Sequence, residues 1–372
     1  MTGSNTSDWL PAAGARDAGP LIVTEDEGLL DDLLRLCAAA GATPEVAHTV
    51  PAHRAGRPGA PLILIGDDCA HRCANTVTAA PAEGVVLVGK DAGDPGVWRR
   101  AVEIGARNVA VLPGNESWLV DRIADAVEGA GRPALTLGVI GGRGGAGAST
   151  LACALAVGAA RAGRRTMLID GDPLGGGLDV LLGGERTEGL RWPAFAGSRG
   201  RVAGRALEEA LPELHSLRLL SWDRGSRATV PPDAMRAVLA AARRRGGVVV
   251  VDLPRRLDEA AVEALGQLDV GLLVVPAELR AVAAAHRVAE TVTTALADLR
   301  AVVRGPCASG FDAEEIARLL KLPLAGELPA ESGLPAALAA GRPPGSAERG
   351  PLARFCAEFW SQVTTESEGV PG

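Results

Sequence analysis

The chain has 372 residues, of which 47% are hydrophobic, and its formal net charge is −7. The apolar content excludes a disordered chain, and the acidic balance gives no general basic footprint for nucleic acid. The longest apolar runs have the length of a strand, and none follows a basic start, so we expect neither a transmembrane helix nor a secretory signal. We therefore expect a cytoplasmic protein with room for two domains.

The first third of the chain alternates predicted strands and helices. Residues 1–19 are polar and rich in Gly and Ala, which predicts a flexible N-terminus. Between residues 20 and 129, apolar runs of strand length alternate with helical stretches, including helices expected at 27–40, 98–104 and 118–127. This alternation predicts a first domain over 20–129 with a parallel sheet and helices on both faces.

Carboxylates follow two of these predicted strands. Glu25 and Asp26 end the first strand, and Asp67 or Asp68 ends the third. The order of elements resembles a response-regulator receiver domain, where carboxylates at these places hold Mg²⁺ and accept a phosphoryl group. Two receiver features are missing, because the fourth strand ends at Gly89 without Ser or Thr and the fifth lacks a lysine before its proline. We therefore expect a flavodoxin-like pseudo-receiver that serves in docking, with no special role for its carboxylates.

A glycine-rich segment opens the second predicted domain, which spans residues 134–363 and precedes a flexible tail at 364–372. An apolar strand at 137–140 runs into this segment, and an alanine-rich helix is expected at 151–162. The spacing Gly142-x4-Gly147-x-Ser149 matches a P-loop, in which backbone N–H groups close on a phosphate at the N-terminus of a helix. The one departure is Ala148, which stands where the P-loop lysine belongs.

Three aspartates end later strands of the same domain. Asp170 and Asp172 follow the apolar strand at 166–169, and Asp252 ends a run of four valines. Ligands of open α/β sheets lie at the carboxyl ends of strands, where an aspartate can hold a Mg²⁺-bound water. Asp170 and Asp172 could instead form strand-end turns, and Ser149 and Thr150 could act as helix N-cap residues. A carboxylate is costly beside a core without a partner, so we expect Asp252 to be functional.

Together these motifs resemble the ParA/MinD group of deviant Walker-A ATPases. The group's loop KGGxGK[ST] reads here from Arg143 to Ser149, its DxD with a later LD matches Asp170, Asp172 and Asp179, and its D-x-P matches the segment that begins at Asp252. A receiver-like domain before such a domain is similar to the CpaE/TadZ-like branch, with the actinobacterial CpaE-like septum site-determining proteins most alike. The resemblance implies a P-loop NTPase-like α/β domain with a mainly parallel sheet.

The resemblance also implies the ligands and their contacts. It implies that ATP or ADP binds with Mg²⁺, that Asp170 orients water, and that Ser149 and Asp252 organise Mg²⁺, Asp252 through water. The residues expected to contact nucleotide are Gly142, Arg143, Gly144, Gly145, Ala146, Gly147, Ala148, Ser149, Thr150 and Asp172. Because Arg143 and Ala148 replace the two lysines of the group, we expect weak or absent ATP hydrolysis.

By this resemblance the protein is a spatial regulator, either of septum-site determination in cell division or of a Tad/Flp-type pilus-secretion apparatus. Its partners would be proteins of the division or Tad machinery, with homodimer formation and recruitment to septum or pole. Two alternatives remain, a nucleotide-free scaffold for protein–protein contacts and a ParA-type DNA partition ATPase. The last predicted helix, at 351–363, carries one basic residue, so we expect it to pack on the core rather than to anchor the protein directly to a membrane.

Overall fold

The computed structural model describes residues 19–50, 62–77, 84–91, 93–128, 133–197, 202–225, 229–306 and 312–368. The chain forms two compact units, Met1–Gly131 and Arg132–Gly372. Each is an α/β unit built on a mainly parallel sheet, which confirms the predicted fold class. Of the two predicted flexible segments, residues 1–18 and 369–372 lie outside the described residues.

The N-terminal unit has a parallel five-stranded sheet in the order β2-β1-β3-β4-β5. The strands are β1 Leu21–Val23, β2 Glu45–Val46, β3 Ile63–Gly66, β4 Val85–Gly89 and β5 Asn108–Val111. The helices are α1 Glu27–Ala39, α2 Ala70–Val77, α3 Val97–Glu103 and α4 Glu116–Glu128, and a short 3-10 turn, Asp67–Cys69, precedes α2.

Side-chain alternation along these strands fills the two faces of the N-terminal sheet. Leu21 and Val23 belong to a buried cluster with residues of α2 and α3, whereas Ile22 belongs to a second cluster with residues of α1 and α4. Successive side chains of a strand point to opposite faces, so a fully apolar strand is covered on both sides. The carboxyl ends of β1, β3 and β4 are left at one edge.

The C-terminal unit has an eight-stranded sheet in the order β13-β12-β11-β6-β10-β7-β9-β8. All pairs are parallel except β8 with β9. The strands are β6 Leu135–Gly141, β7 Thr166–Asp170, β8 Glu213–Leu214, β9 Leu217–Leu220, β10 Val248–Leu253, β11 Val270–Pro276, β12 Leu299–Arg304 and β13 Leu324–Leu328. The apolar runs at 137–140, 166–169 and 248–251 predicted β6, β7 and β10, whereas β8 and β9 were missed.

Helices cover both faces of this sheet. They are α5 Ala148–Arg161, α6 Leu178–Leu181, α7 Trp192–Phe195, α8 Gly204–Ala210, α9 Pro232–Arg244, α10 Glu259–Leu265, α11 Leu279–Val292, α12 Ala313–Leu320, α13 Leu334–Ala339 and α14 Pro351–Glu368. Residues of α5 and α14 share one buried cluster with Leu137 and Val139, whereas residues of α9 to α12 share the other with Ile140.

The helix after the glycine-rich loop begins earlier than its sequence indicates. Its N-cap is Gly147, with φ of 100°, and Ala148 is already helical. Ser149 and Thr150 therefore lie inside the first turn, so the alternative in which either of them is the N-cap was wrong. The reason is the left-handed conformation of Gly147, which turns the chain into the helix one residue before the first hydroxyl.

The last helix, α14, packs on the core as predicted. Leu352, Phe355, Phe359 and Val363 are buried, and the indole N–H of Trp360 donates to a backbone carbonyl of α5 at 3.0 Å. The helix continues to Glu368, beyond the predicted end of the domain at residue 363. Within the part of the chain that the structure describes, no helix combines the length and the apolar character needed to cross a bilayer.

Candidate functional site

Three adjacent strands of the C-terminal sheet bring the predicted site residues to one edge. The central strand β6 runs into the glycine-rich loop, and β10 lies beside it with Asp252 opposite Val139. On its other side, β10 pairs with β7 so that Asp252 lies opposite Asp170. Because all three strands are parallel, their carboxyl ends place the loop and both carboxylates together.

The loop has a backbone that only glycine adopts readily, and it faces open space. Gly145 and Gly147 have φ of 72° and 100°. A Cβ at Gly144 or Gly145 would meet no atom within 4 Å, whereas a Cβ at Gly142 would lie 2.7 Å from the Cβ of Ala285. Neither φ nor internal packing thus requires glycine at 144. The lack of a side chain at Gly144 therefore matters only for a ligand that approaches the loop from outside.

The N-terminus of α5 opens into the same space. The first four N–H groups of a helix have no partner within the helix, and the N-cap Gly147 offers no side chain to accept from them. These donors and the positive end of the helix dipole favour an anion at this place. Among the predicted loop residues, Ala146 is buried, and Ala148 and Thr150 are half-buried beside it.

Asp252 lies under the loop as a buried carboxylate. It is 3% exposed, and no cation lies within ion-pair distance of it among the described residues. Burial raises its pKa to about 8, a rise that a hydrogen bond from the Ser149 hydroxyl partly offsets and that the neighbouring charge of Asp170 increases. A buried carboxylate with a raised pKa is stabilised when a metal ion supplies positive charge.

Asp170 is held in place by three donors. Its Oδ2 accepts from the Ser221 hydroxyl at 2.7 Å and from the backbone N–H of Leu178 at 3.0 Å, and its Oδ1 accepts from the N–H of Asp172 at 3.3 Å. Burial raises the pKa of Asp170 to about 6, and these hydrogen bonds oppose the rise. The side chain is thus fixed in orientation at the edge of the sheet.

Two tryptophans hold the backbone of Asp170. The indole N–H groups of Trp192 and Trp222 donate to its carbonyl oxygen at 2.6 and 3.1 Å, and the two rings are 6.1 Å apart. Sequence reasoning missed both tryptophans and Ser221. The segment LRLLSW carried a usable signal, since a short apolar run that ends in Ser-Trp places polar groups at a strand end as the aspartates do.

Asp172 and Asp179 make local contacts in this structure. Oδ1 of Asp172 accepts from the backbone N–H of Leu174 at 3.0 Å, the geometry of a turn-forming aspartate. Asp179 is 2% exposed and pairs through both oxygens with Arg224 at 3.1 Å. A nucleotide contact of Asp172 stays a prediction.

Arg143, in the place of the group's signature lysine, is turned toward a carboxylate. Its Nη2 lies 2.9 Å from Oε1 of Glu278, which follows β11. Its Nε is buried and has no hydrogen-bond partner among the residues that the structure describes. The charge of this arginine is therefore largely balanced by Glu278.

These features fit a nucleotide with a divalent cation. The open space above Gly144 and Gly145 and the uncapped N-terminus of α5 suit phosphate oxygens, which accept hydrogen bonds from N–H groups. The Ser149 hydroxyl and the Asp252 carboxylate are oxygen donors of the kind that Mg²⁺ prefers.

The carboxylates of the N-terminal unit have a different environment. They line a cavity of about 420 Å³ together with Lys90 and Arg100. The Arg100 guanidinium contacts both Asp67 and Asp94, and the Lys90 ammonium lies 3.0 Å from Asp26. Across the described residues of both units, no group of three or more His, Cys, Asp or Glu side chains could hold a metal ion.

Comparison with known sequences places this chain. Residues 23–134 match a family model described as the Rv3660c-like, CheY-like N-terminal domain. The Mycobacterium tuberculosis H37Rv protein named "Uncharacterized protein Rv3660c" is 39% identical over 317 residues, which cover 83% of this chain and 88% of that protein. The chain belongs to the Rv3660c family. The predicted receiver-like domain is thereby confirmed as the CheY-like domain of that family.

The solved structures similar to this Rv3660c-family chain include ParA and MinD ATPases. A ParA family ATPase from Chlorobium tepidum TLS matches with a TM-score of 0.55 and 18% identity over 62% of this chain and 99% of its own. Pyrococcus horikoshii MinD, a septum site-determining protein complexed with Mg-ADP, matches with a TM-score of 0.53 and 17% identity over 63% and 97%. At such identities the likeness shows the fold, so the ParA/MinD resemblance is confirmed at that level and the CpaE/TadZ-like branch stays a prediction.

Proposed function

We propose that the C-terminal unit binds ATP or ADP with Mg²⁺ at the loop and that the protein acts as a nucleotide-dependent spatial regulator. The observation that carries the proposal is the pairing of an open glycine loop with a buried carboxylate, Asp252, that lies against no cation of the described residues. The complex of P. horikoshii MinD with Mg-ADP supports the same ligand class for this fold.

The loop residues, Thr150, Asp170 and Asp252 each have a role in this proposal. The N–H groups from Gly142 to Ser149 surround the phosphates, with Thr150 in the first helical turn behind them. Ser149 and, through water, Asp252 would hold Mg²⁺, which neutralises phosphate charge when bound, and Asp170 would orient the water for hydrolysis. The tight hydrogen bonding of Asp170 suits a positioning task, because its carboxylate cannot rotate without the loss of at least two donors.

Hydrolysis is expected to be slow. Ala148 supplies no charge to the transferring phosphoryl group, and the loss of one such contact costs on the order of 10²–10³ in rate. The guanidinium of Arg143 is balanced by Glu278 and does not replace the missing ammonium. A protein that binds ATP and hydrolyses it slowly remains in its ATP-bound state long enough to mark a position in the cell.

The process that this regulator serves is septum placement in cell division or the positioning of a Tad-type apparatus, as expected for the CpaE/TadZ-like branch. The N-terminal unit would then dock a protein partner, and the C-terminal unit would set when it does so. A fluorescent fusion to the full chain tests this role. Foci at septum or pole support it, and a uniform signal in dividing cells contradicts it.

Nucleotide binding is tested by calorimetry on the full chain with Mg–ADP and Mg–ATP. Ser149→Ala should weaken nucleotide binding at least about tenfold, since the proposed contact between the Ser149 hydroxyl and Mg²⁺ is lost. Thr291→Ala is the matched control, because it removes an exposed hydroxyl of α11 that donates to a backbone carbonyl. Absence of binding by the wild type, at millimolar nucleotide, would replace this function with the nucleotide-free scaffold.

A further inference from the structure

The loop lacks a positive charge of its own that is free for a phosphate. Ala148 has no charged group, and the Nη2 of Arg143 is 2.9 Å from Glu278. A phosphate in the loop would meet N–H groups and a helix dipole, but a P-loop also brings an ammonium to the β- and γ-phosphates. A cation that contacts a phosphate in the loop would therefore have to come from a neighbouring element of the fold.

A second arginine reaches the loop from a strand two places away. Arg304 is the last residue of β12, which is separated from β6 only by β11, and it lies opposite Pro276 in the register. Its Nη1 donates to the carbonyl oxygen of Gly145 at 3.3 Å. The same nitrogen is 3.1 Å from the place where a Cβ on Gly147 would lie. The guanidinium thus lies against the loop beside Gly145 and Gly147, the latter of which directly precedes Ala148.

This guanidinium has donors to spare. No carboxylate among the described residues lies within ion-pair distance of Arg304, and the long bond to Gly145 is the one hydrogen bond that its guanidinium makes with them. A guanidinium has five N–H donors in a planar fork that matches the oxygens of a phosphate. Arg143 and Arg304 flank the same loop, but only Arg143 is held by a carboxylate of this part of the chain.

We propose that Arg304 supplies the cationic contact to the phosphates of a bound nucleoside di- or triphosphate that the P-loop itself lacks. The proposal rests on the nucleotide binding proposed above and adds the residue that compensates for Ala148. The contact is made from β12 rather than from the loop. It also gives Gly147 a second reason to be glycine, because a side chain there would displace the guanidinium.

The test compares nucleotide affinities of the full chain by calorimetry. Arg304→Gln should weaken Mg–ADP and Mg–ATP binding about 10- to 100-fold, the range of a lost charge-assisted contact, and should leave binding of adenosine unchanged. Arg304→Lys, which keeps one charge without the fork, should fall between the wild type and the glutamine variant. Arg354→Gln is the matched control, because it removes an exposed arginine of α14 with the same change in net charge.

A second substitution separates a phosphate contact from a merely structural role. Ala148→Lys places an ammonium at the ordinary position, so it should restore most of the affinity lost in Arg304→Gln and add much less to the wild type. Thermal unfolding of each variant without nucleotide reports the fold independently of binding. A structural role of Arg304 would lower the unfolding temperature and would not be rescued by Ala148→Lys.

The outcomes distinguish the two proposals. If the wild type binds nucleotide and Arg304→Gln binds it equally well, the role of Arg304 is overturned and the proposed function stands. If Arg304→Gln loses affinity for adenosine as strongly as for ADP, the contact is not to phosphate and the inference is wrong. If the wild type binds no nucleotide, both proposals fall together.

Discussion

In the N-terminal unit, the carboxylate of Asp67 lies against the guanidinium of Arg100, and that of Asp26 lies 3.0 Å from the ammonium of Lys90. In the C-terminal unit, Asp170 and Asp252 occupy equivalent places at the carboxyl ends of parallel strands, yet neither lies against a cation within the part of the chain that the structure describes. These carboxylates of the two units therefore lie at equivalent positions of their sheets, but among the described residues only those of the N-terminal unit lie against a cation.

The pKa values follow this difference. Hydrogen bonds from the N–H of Leu29 and from Lys90 lower the pKa of Asp26, and Arg100 lowers that of Asp94. Burial raises the pKa of Asp170 to about 6 and that of Asp252 to about 8. Asp26, Asp67 and Asp94 are thus neutralised by Lys90 and Arg100 and have little need of a metal ion. Asp68, in the same cavity, instead accepts hydrogen bonds from the Thr24 hydroxyl and from the N–H groups of Glu25 and Asp26. The C-terminal carboxylates are held ready for a metal ion.

Among the substitutions that test this difference between the two units, Asp252→Asn should change the stability most. The folded pKa of about 8 lies above the ordinary value of 3.8, so the stability linked to this group is fully present below pH 3.8 and is lost as the pH rises to about 8. Asparagine keeps the shape and an acceptor for Ser149 but has no charge to bury. We expect the variant without nucleotide to be more stable than the wild type at pH 8.5, by about 2 kcal/mol or more.

Thermal unfolding at several pH values measures this effect. The advantage of Asp252→Asn should shrink as the pH falls and vanish toward about pH 3, where the wild-type carboxyl is protonated in both states. Addition of Mg–ADP should raise the unfolding temperature of the wild type and not of the variant. An unfolding temperature of the variant below that of the wild type at pH 8.5 would contradict the view that Asp252 is a buried carboxylate without a neutralising cation.

Arg100→Gln should have the next largest effect, and in the opposite direction. It leaves Asp67 and Asp94 without their shared cation, and we expect a measurable loss of stability at pH 7, which solvent screening of this partly exposed contact limits. Because the pKa of Asp94 is lowered in the fold, its stabilisation is present above pH 3.8 and is lost as the pH falls through the folded pKa.

The difference between Arg100→Gln and the wild type should therefore close toward pH 3, as followed by denaturant unfolding monitored by circular dichroism. Arg99→Gln on the same helix is the matched control, since Arg99 is exposed. Millimolar Mg²⁺ should stabilise Arg100→Gln more than the wild type, because the metal ion can then replace the lost cation. Equal stability of variant and wild type at pH 7 would show that the ion pairs do not neutralise this site.

Ser221→Ala tests the contribution of one hydrogen bond to the pKa of Asp170 in the C-terminal unit. It removes the 2.7 Å hydrogen bond to Asp170 but leaves the two backbone donors, so we expect a cost of about 1 kcal/mol. Since this bond favours the charged form, the pKa of Asp170 should rise further above about 6. Carboxyl resonances followed by NMR over a pH titration measure the shift, and an unchanged or lower pKa would contradict the assignment.

Gly144→Ala should have the smallest effect on stability. A Cβ at this position meets no atom within 4 Å, so the free energy of unfolding should change by less than about 0.5 kcal/mol. Nucleotide affinity should nevertheless fall, because the methyl group enters the space of the phosphates. Unchanged affinity, measured by calorimetry beside the unfolding curve, would show that the open space over the loop is not used by a ligand.

The sequence predicted those parts of the molecule that one segment determines. Uninterrupted apolar runs such as 248–251 predicted buried strands, and the aspartates after them fell at the ligand edge because parallel strands end together. The N-cap at Gly147 was missed because its left-handed φ depends on the loop as a whole. The two-residue strand β8 and its partner β9 were missed because short pairs carry little periodicity.

Contacts between distant segments could not be predicted from the sequence. Ser221, Trp192 and Trp222 meet Asp170 only because β9 and α7 lie beside β7. The approach of Arg304 to Gly145 depends on strand order, which no local pattern shows. The pairing of Asp26 with Lys90 and of Asp67 with Arg100 likewise depends on the packing of α3 and β4, and the absence of a special role for the N-terminal carboxylates stays a prediction.

Asp252 is expected to be protonated at neutral pH without ligand and to lose its proton when Mg²⁺–nucleotide binds. Calorimetry of Mg–ADP binding at pH 7, in buffers that differ in ionisation enthalpy, measures the protons released on binding. A carboxyl with a pKa of about 8 is about nine-tenths protonated at pH 7. We therefore expect close to one proton to be released per nucleotide bound at pH 7, and almost none at pH 9.5. Binding with no proton release at pH 7 would contradict it.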